Sequence, residues 1–158
     1  MKEIEAKAWV KDRANQDKVV TQFFKDFKPS KVKQAFFMAG IPGSGKTEFA
    51  ENTINIASPI LVPIEHDKLV EYIHGYSPEN YYVFRKAGST LVSRILKECL
   101  KHGYGFIFDG TLSSPQGVSN INAALKQGYY VIVVYIVQDI LKAWNLTQDR
   151  ELVKKRAI

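Results

Sequence analysis

One short segment limits the folds open to this 158-residue chain more than any other. Gly40-Ile41-Pro42-Gly43-Ser44-Gly45-Lys46-Thr47 satisfies G-x-x-x-x-G-K-[ST] at every specified position. The glycines of such a loop let the backbone curl so that successive amide N–H groups converge on phosphate oxygens, and a helix starting near Gly45 adds its positive dipole end. Lys46 is placed to reach β and γ phosphates, and Thr47 to offer its hydroxyl to Mg2+. Gly40 to Thr47 is therefore expected to hold a nucleoside triphosphate.

The flanks agree. Ala35-Phe36-Phe37-Met38-Ala39 is an apolar run without polar alternation, as in a strand buried on both faces of a parallel sheet, and Lys46 to Asn55 continues as a helix. Ile60 to Ile64, Tyr104 to Phe108 and Tyr129 to Val137 read as further strands, the last being the most strand-like run in the chain. Helical spacing recurs over Asp67 to Ile73, Pro78 to Lys101, Gln116 to Lys126 and Ile140 to Lys155, with Ser77 expected as an N-cap ahead of Pro78. Ahead of the first strand, Val19, Val20, Phe23, Phe24 and Phe27 mark an amphipathic helix expected from Val10 to Phe27. Strands alternating with helices predict an α/β architecture. The chain reads as a single domain, with an N-terminal helical segment over residues 1–33 ahead of a core over residues 34–158.

Composition narrows the class. The chain is 46% hydrophobic and 24% charged, enough for one core, and its only cysteine, Cys99, excludes an intrachain disulfide framework and a cysteine-based zinc cage. No apolar stretch is long enough to span a membrane, and the charged start MKEIEAKAWVKDR is unlike a signal peptide, so a soluble cytoplasmic protein is expected. The net charge of +6 suggests an acidic partner, but nine basic and five acidic residues fall within 1–33, and four basic and one acidic within 150–158. The centre is close to neutral, so the excess reads as solvated helix faces, and nucleic acid is not the expected partner.

Two carboxylates stand where open α/β sheets place ligand-contacting groups. Asp109 closes the strand Gly105 to Phe108 as a metal-holding carboxylate would, the alternative being a plain Asp-Gly turn. Asp67 follows the strand Ile60 to Ile64 and either accepts a proton from a substrate hydroxyl or caps the helix after it, or does both. Glu65 and His66 sit beside it, and His66 reads as a surface residue.

With these residues in view, GIPGSGKTEFA, IEHDKLVEYIHGYSPENY, HGYGFIFDGT and LTQDRE resemble, in order, the pattern of zeta-toxin-type kinases over about residues 35 to 156. The resemblance implies a P-loop NTPase/kinase fold, a parallel sheet flanked by helices, and a phosphotransferase that moves the γ-phosphoryl of ATP or GTP, with Mg2+, to a hydroxyl of a UDP-amino sugar, typically UDP-N-acetylglucosamine. It also implies restraint by a small helical antitoxin. By position Asp67 would be the base, Lys46 and Thr47 would manage phosphates and magnesium, and Arg150 would stabilise the transferring phosphoryl. Asp109 stands where the family usually has a substrate-contacting glutamate, so it is assigned either to substrate or to metal; Thr111 matches a substrate-contacting threonine.

The chain departs from the family pattern at two places. Ser113 stands where better-studied members carry a substrate-binding arginine. Only eight residues follow Arg150, so Arg156 lies too close to match the second phosphate-facing arginine, and VKKRAI reads as a helix cut short in a fragment of a longer protein. Two other readings stay open: a kinase acting on a nucleic acid end or a nucleoside, motivated by the basic N-terminal segment, and a nucleotide-binding module without turnover. The N-terminal helix either packs on the core through Phe23, Phe24 and Phe27 or acts as an inhibitory segment.

Overall fold

The centre of the fold is the apolar run ahead of the glycine-rich loop, β1 (Gln34–Ala39). In the computed structural model, which describes residues 3–57, 60–110 and 112–154, it lies between β3 (Phe106–Asp109) and β4 (Tyr130–Tyr135), with β2 (Val62–Glu65) outside β3. Every pairing is parallel, so helices must return the chain between strands. The sheet order is β2-β3-β1-β4.

Period-two alternation sends β1 side chains to two cores. Ala35 and Phe37 join Phe106, Val62 and Ile64 on the face covered by α5 (Tyr81–His102), whereas Met38 meets Ile107 and Ala50 of α3 (Lys46–Ile56) on the other. Helix α5 buries Phe84, Ala87, Leu91, Ile95 and Cys99 at helical spacing, and ends at Gly103, whose N–H donates to the Cys99 carbonyl. Burial, reinforced by Glu98, pushes the Cys99 thiol far above its usual range, so it is a packing residue and not a nucleophile. At its other end, the helix expected from Pro78 opens with a single 3-10 turn, Pro78–Asn80, braced where the Ser77 N–H donates to Asn80 Oδ1 at 2.8 Å.

The N-terminal segment differs from its expected single helix. Asp12, with an extended ψ of 120°, accepts from the Ala14 N–H at 2.8 Å and splits it into α1 (Glu3–Lys11) and α2 (Arg13–Phe24). Gln16 Nε2 and Asn15 Nδ2 turn back to the carbonyls of Val10 and Trp9, supplying donors that a helix end lacks. Both helices lie on α5, burying Ala6, Val10 and Val19, and Arg94 Nη2 joins Asp17 and Glu98 at 2.9 and 3.1 Å. Phe24 packs on Tyr104 with centroids 4.7 Å apart.

The remaining helices are α4 (His66–Leu69), α6 (Pro115–Lys126) and α7 (Ile140–Lys154). The helix expected over Asp67 to Ile73 is α4 followed by a 3-10 turn, Val70–Tyr72. No described helix is long and apolar enough to cross a membrane.

Candidate active site

Parallel strands bring their C-terminal ends to one edge, and there the candidate residues meet. Asp109, the last residue of β3, is paired in register with Glu65, the last of β2, and Asp67 follows two residues later inside α4. The N-cap of α4 is Glu65, so Asp67 does not cap that helix.

The loop from Gly40 to Gly45 leads from β1 into α3 at the same edge, with Gly45 as a left-handed N-cap (φ 95°). A β-carbon on Gly43, φ 76°, would run into the Ala143 carbonyl and come within 2.5 Å of Thr147 Oγ1. The glycine therefore lets α7 sit directly on the loop. Ile41 closes a turn by accepting from the Ser44 N–H at 3.2 Å, and Ser44 Oγ is buried without a partner. Lys46 Nζ donates to the carbonyls of Gly40 and Ile41 at 3.0 and 2.9 Å, folded back on the loop that precedes it. A cavity of about 280 Å3, lined by Gly40, Ile41, Pro42, Ser113 and Tyr135, opens beside the loop. A second, of about 480 Å3, is lined by the C-terminal ends of α5 and α6. Those ends lead into β3 and β4, so it lies at the opposite edge of the sheet from the loop.

Thr47 Oγ1 donates to Asp109 Oδ2 at 3.4 Å, while Asp109 Oδ1 is buried with no partner. Burial, with Glu65 and Asp67 nearby, raises the Asp109 pKa above its ordinary value, against the pull of Lys46 and the Thr47 hydroxyl. A hydroxyl and a buried carboxylate oxygen without a donor fit Mg2+, a hard cation that takes oxygen ligands. Among the described residues no group of three or more His, Cys, Asp or Glu side chains is arranged to hold a metal.

Asp67 Oδ1 accepts from the Tyr81 hydroxyl at 2.7 Å, and His66 Nδ1 lies 3.6 Å from the same oxygen. Glu65, 7% exposed, pairs with Lys68 Nζ at 2.8 Å. Of the sequence candidates, Gly40 to Thr47, Asp67 and Asp109 thus share one edge. Thr111 lies outside the described residues. Arg150 belongs to α7, and its side chain lies outside the described residues. Sequence reasoning left out Glu65, His66 and Tyr81 as site residues. Glu65 and His66 had one signal, their place beside Asp67; the pairing of Glu65 with Asp109 comes from the sheet register.

The sequence model of one protein family, described as zeta toxin, matches residues 17–158. Among solved structures, the chain is similar to one from the characterization of the PezAT chromosomal toxin-antitoxin system of the human pathogen Streptococcus pneumoniae. The TM-score is 0.77 at 17% identity, over 90% of this chain and 65% of that one. It is also similar to the AvrRxo1-ORF1:-ORF2 complex, with a TM-score of 0.50 at 17% identity over 78% of this chain and 42% of that one. The chain thus spans less than two thirds of either, and at such identities the likeness establishes the fold. No curated protein matches it.

Proposed function

Because this chain belongs to the zeta toxin family, we propose that it transfers the γ-phosphoryl group of ATP or GTP to a hydroxyl of a small substrate, a UDP-amino sugar such as UDP-N-acetylglucosamine. The observation that carries this reading is the convergence of a phosphate loop, a Thr47–Asp109 pair and a hydrogen-bonded Asp67 at one sheet edge. Phosphoryl transfer needs little covalent help from a protein and much positioning and charge compensation.

In this reading the loop amides and Lys46 hold the phosphates, Lys46 leaving the carbonyls of Gly40 and Ile41 as phosphate arrives. Thr47 and Asp109 would hold Mg2+, which when bound neutralises charge on the phosphates. Asp67 accepts the proton of the attacking hydroxyl. Arg150, by its match to the family pattern, clamps the equatorial oxygens of the transferring group, as a planar guanidinium can. Thr111 contacts the acceptor, and Asp109 is the alternative acceptor contact if it does not hold the metal. A helical antitoxin partner is part of the proposal, supported by family membership and by the toxin-antitoxin system named for the similar structure.

The test begins with calorimetric titration of the chain with a non-hydrolysable ATP analogue and Mg2+, then with UDP-N-acetylglucosamine. Asp67→Ala is expected to retain nucleotide binding and to lose transfer by about 10³-fold, the scale of general base catalysis. Transfer at the parent rate would remove Asp67 as the base. Binding of nucleotide without the sugar nucleotide would move the search to another hydroxylated acceptor.

A further inference from the structure

We propose that Tyr81, backed by His66, is a positioning residue for Asp67, so that the aim of the base is set from helix α5. This rests on the reading of Asp67 as the base. His66 Nε2 lies 2.7 Å from the Arg85 carbonyl oxygen. A carbonyl only accepts, so Nε2–H donates to it and fixes the plane of the ring. Nδ1 stands 3.4 Å from the Tyr81 hydroxyl. That hydroxyl has one proton, and its 2.7 Å contact with Asp67 Oδ1 takes it, since a hydrogen bond to a charged acceptor is the stronger of the two. The hydrogen bond to the carboxylate therefore comes from the phenol alone, and the imidazole, anchored on the Arg85 carbonyl, backs Tyr81 by packing against its ring.

Its seat is built into the fold. Gly88 lies inside the 22-residue α5, where glycine costs about 1 kcal/mol against alanine. A β-carbon there would strike the Val70 side chain and come within 2.8 Å of His66 Nε2. The missing side chain is what admits the imidazole against the helix. His66 meets the Tyr81 ring edge-on, with centroids 6.3 Å apart and planes at 83°. Tyr81 is itself the first residue of α5, so its hydroxyl is delivered by a long rigid element and not by a loop. Holding Oδ1 fixes rotation of the carboxylate and therefore the direction in which Oδ2 meets a substrate hydroxyl, a geometry to which transfer rates are steeply sensitive.

The experiment uses the full chain with Mg2+, ATP and UDP-N-acetylglucosamine, with MgATP hydrolysis as the readout where water is the acceptor. Tyr81→Phe keeps the ring and removes the hydroxyl. It is expected to lower kcat roughly tenfold, leaving KM for ATP unchanged. In an Asp67→Asn background the same change should have no further effect, the non-additivity of residues that act through one another. Gly88→Ala should lower kcat in the same direction by displacing His66. An acceptor-free check is the Tyr81 hydroxyl proton in NMR, expected downfield and slow to exchange, and lost in both Tyr81→Phe and Asp67→Ala. A parent without that resonance, a Tyr81→Phe variant with parent kcat, or an equal loss in both backgrounds would overturn the inference. An Asp67→Asn variant at the parent rate would instead sink the base assignment itself.

Discussion

Asp109 carries a charge that its surroundings resist: burial first, then Glu65 and Asp67, raise its pKa, and only Lys46 and the Thr47 hydroxyl oppose them. A carboxyl whose folded pKa exceeds its unfolded one binds more protons when folded, so stability falls as pH rises through the window between the two. Asp109→Asn removes the charged form. It is expected to raise stability at neutral pH by roughly 1 kcal/mol, as when a strained functional group is neutralised. The gain should vanish near about pH 3, where the parent carboxyl is protonated in both states. Thermal melts at the two pH values check this, and equal stability at neutral pH would contradict it. The same variant should lose the Mg2+ dependence of nucleotide binding, because Thr47 alone is a poor substitute for a carboxylate pair partner.

Helix α7 and the phosphate loop act as one unit through a single glycine. Gly43→Ala places a side chain on the Ala143 carbonyl at a positive φ, whereas a β-carbon on Gly45 meets nothing nearer than Glu48 Oε2 at 4.0 Å. Gly45→Ala therefore carries backbone strain alone, about 1 kcal/mol or somewhat more. Gly43→Ala should be the more destabilising of the two and the more damaging to nucleotide affinity, as melting and titration would read. At the N-terminus, α1 and α2 cover α5 with Ala6, Val10 and Val19, and Phe23 meets Tyr72 with centroids 6.0 Å apart. Deleting residues 1–28 uncovers that face. The truncated chain is expected to bind a hydrophobic dye and lose its sharp unfolding transition; a folded chain with unchanged nucleotide affinity would show these helices to be dispensable.

Across the whole molecule the uneven feature is the β4 side. Tyr130 and Tyr135 are 68% and 67% exposed, and Val133, Val137, Ile140, Leu141 and Trp144 add to the apolar surface. An apolar strand at the edge of the described sheet is a template for association between chains. Val133→Lys should leave stability within about 0.5 kcal/mol, as surface changes do, and reduce light scattering at high concentration. Unchanged scattering would show that this edge does not drive self-association.

The phosphate loop was legible from sequence because its demands are local: glycines for the curl, Lys46 and Thr47 at fixed offsets, an apolar strand before and a helix after. The α/β alternation was legible for the same reason, since side-chain period and helical spacing are properties of a few consecutive residues. The break at Asp12 was missed because capping competes with an otherwise continuous helical pattern, and the winner is decided by how Asn15 and Gln16 close over the preceding helix. β4 read as the strongest strand yet lies at an edge, because strand propensity carries no information about neighbours. Tyr81 had no sequence signal at all, and His66 had only its place beside Asp67, which by itself reads as a surface position. Their bearing on Asp67 depends on a close approach of α5 to α4 that a glycine seven residues after Tyr81 permits, and only packing in three dimensions brings a phenol to a carboxylate fourteen residues away.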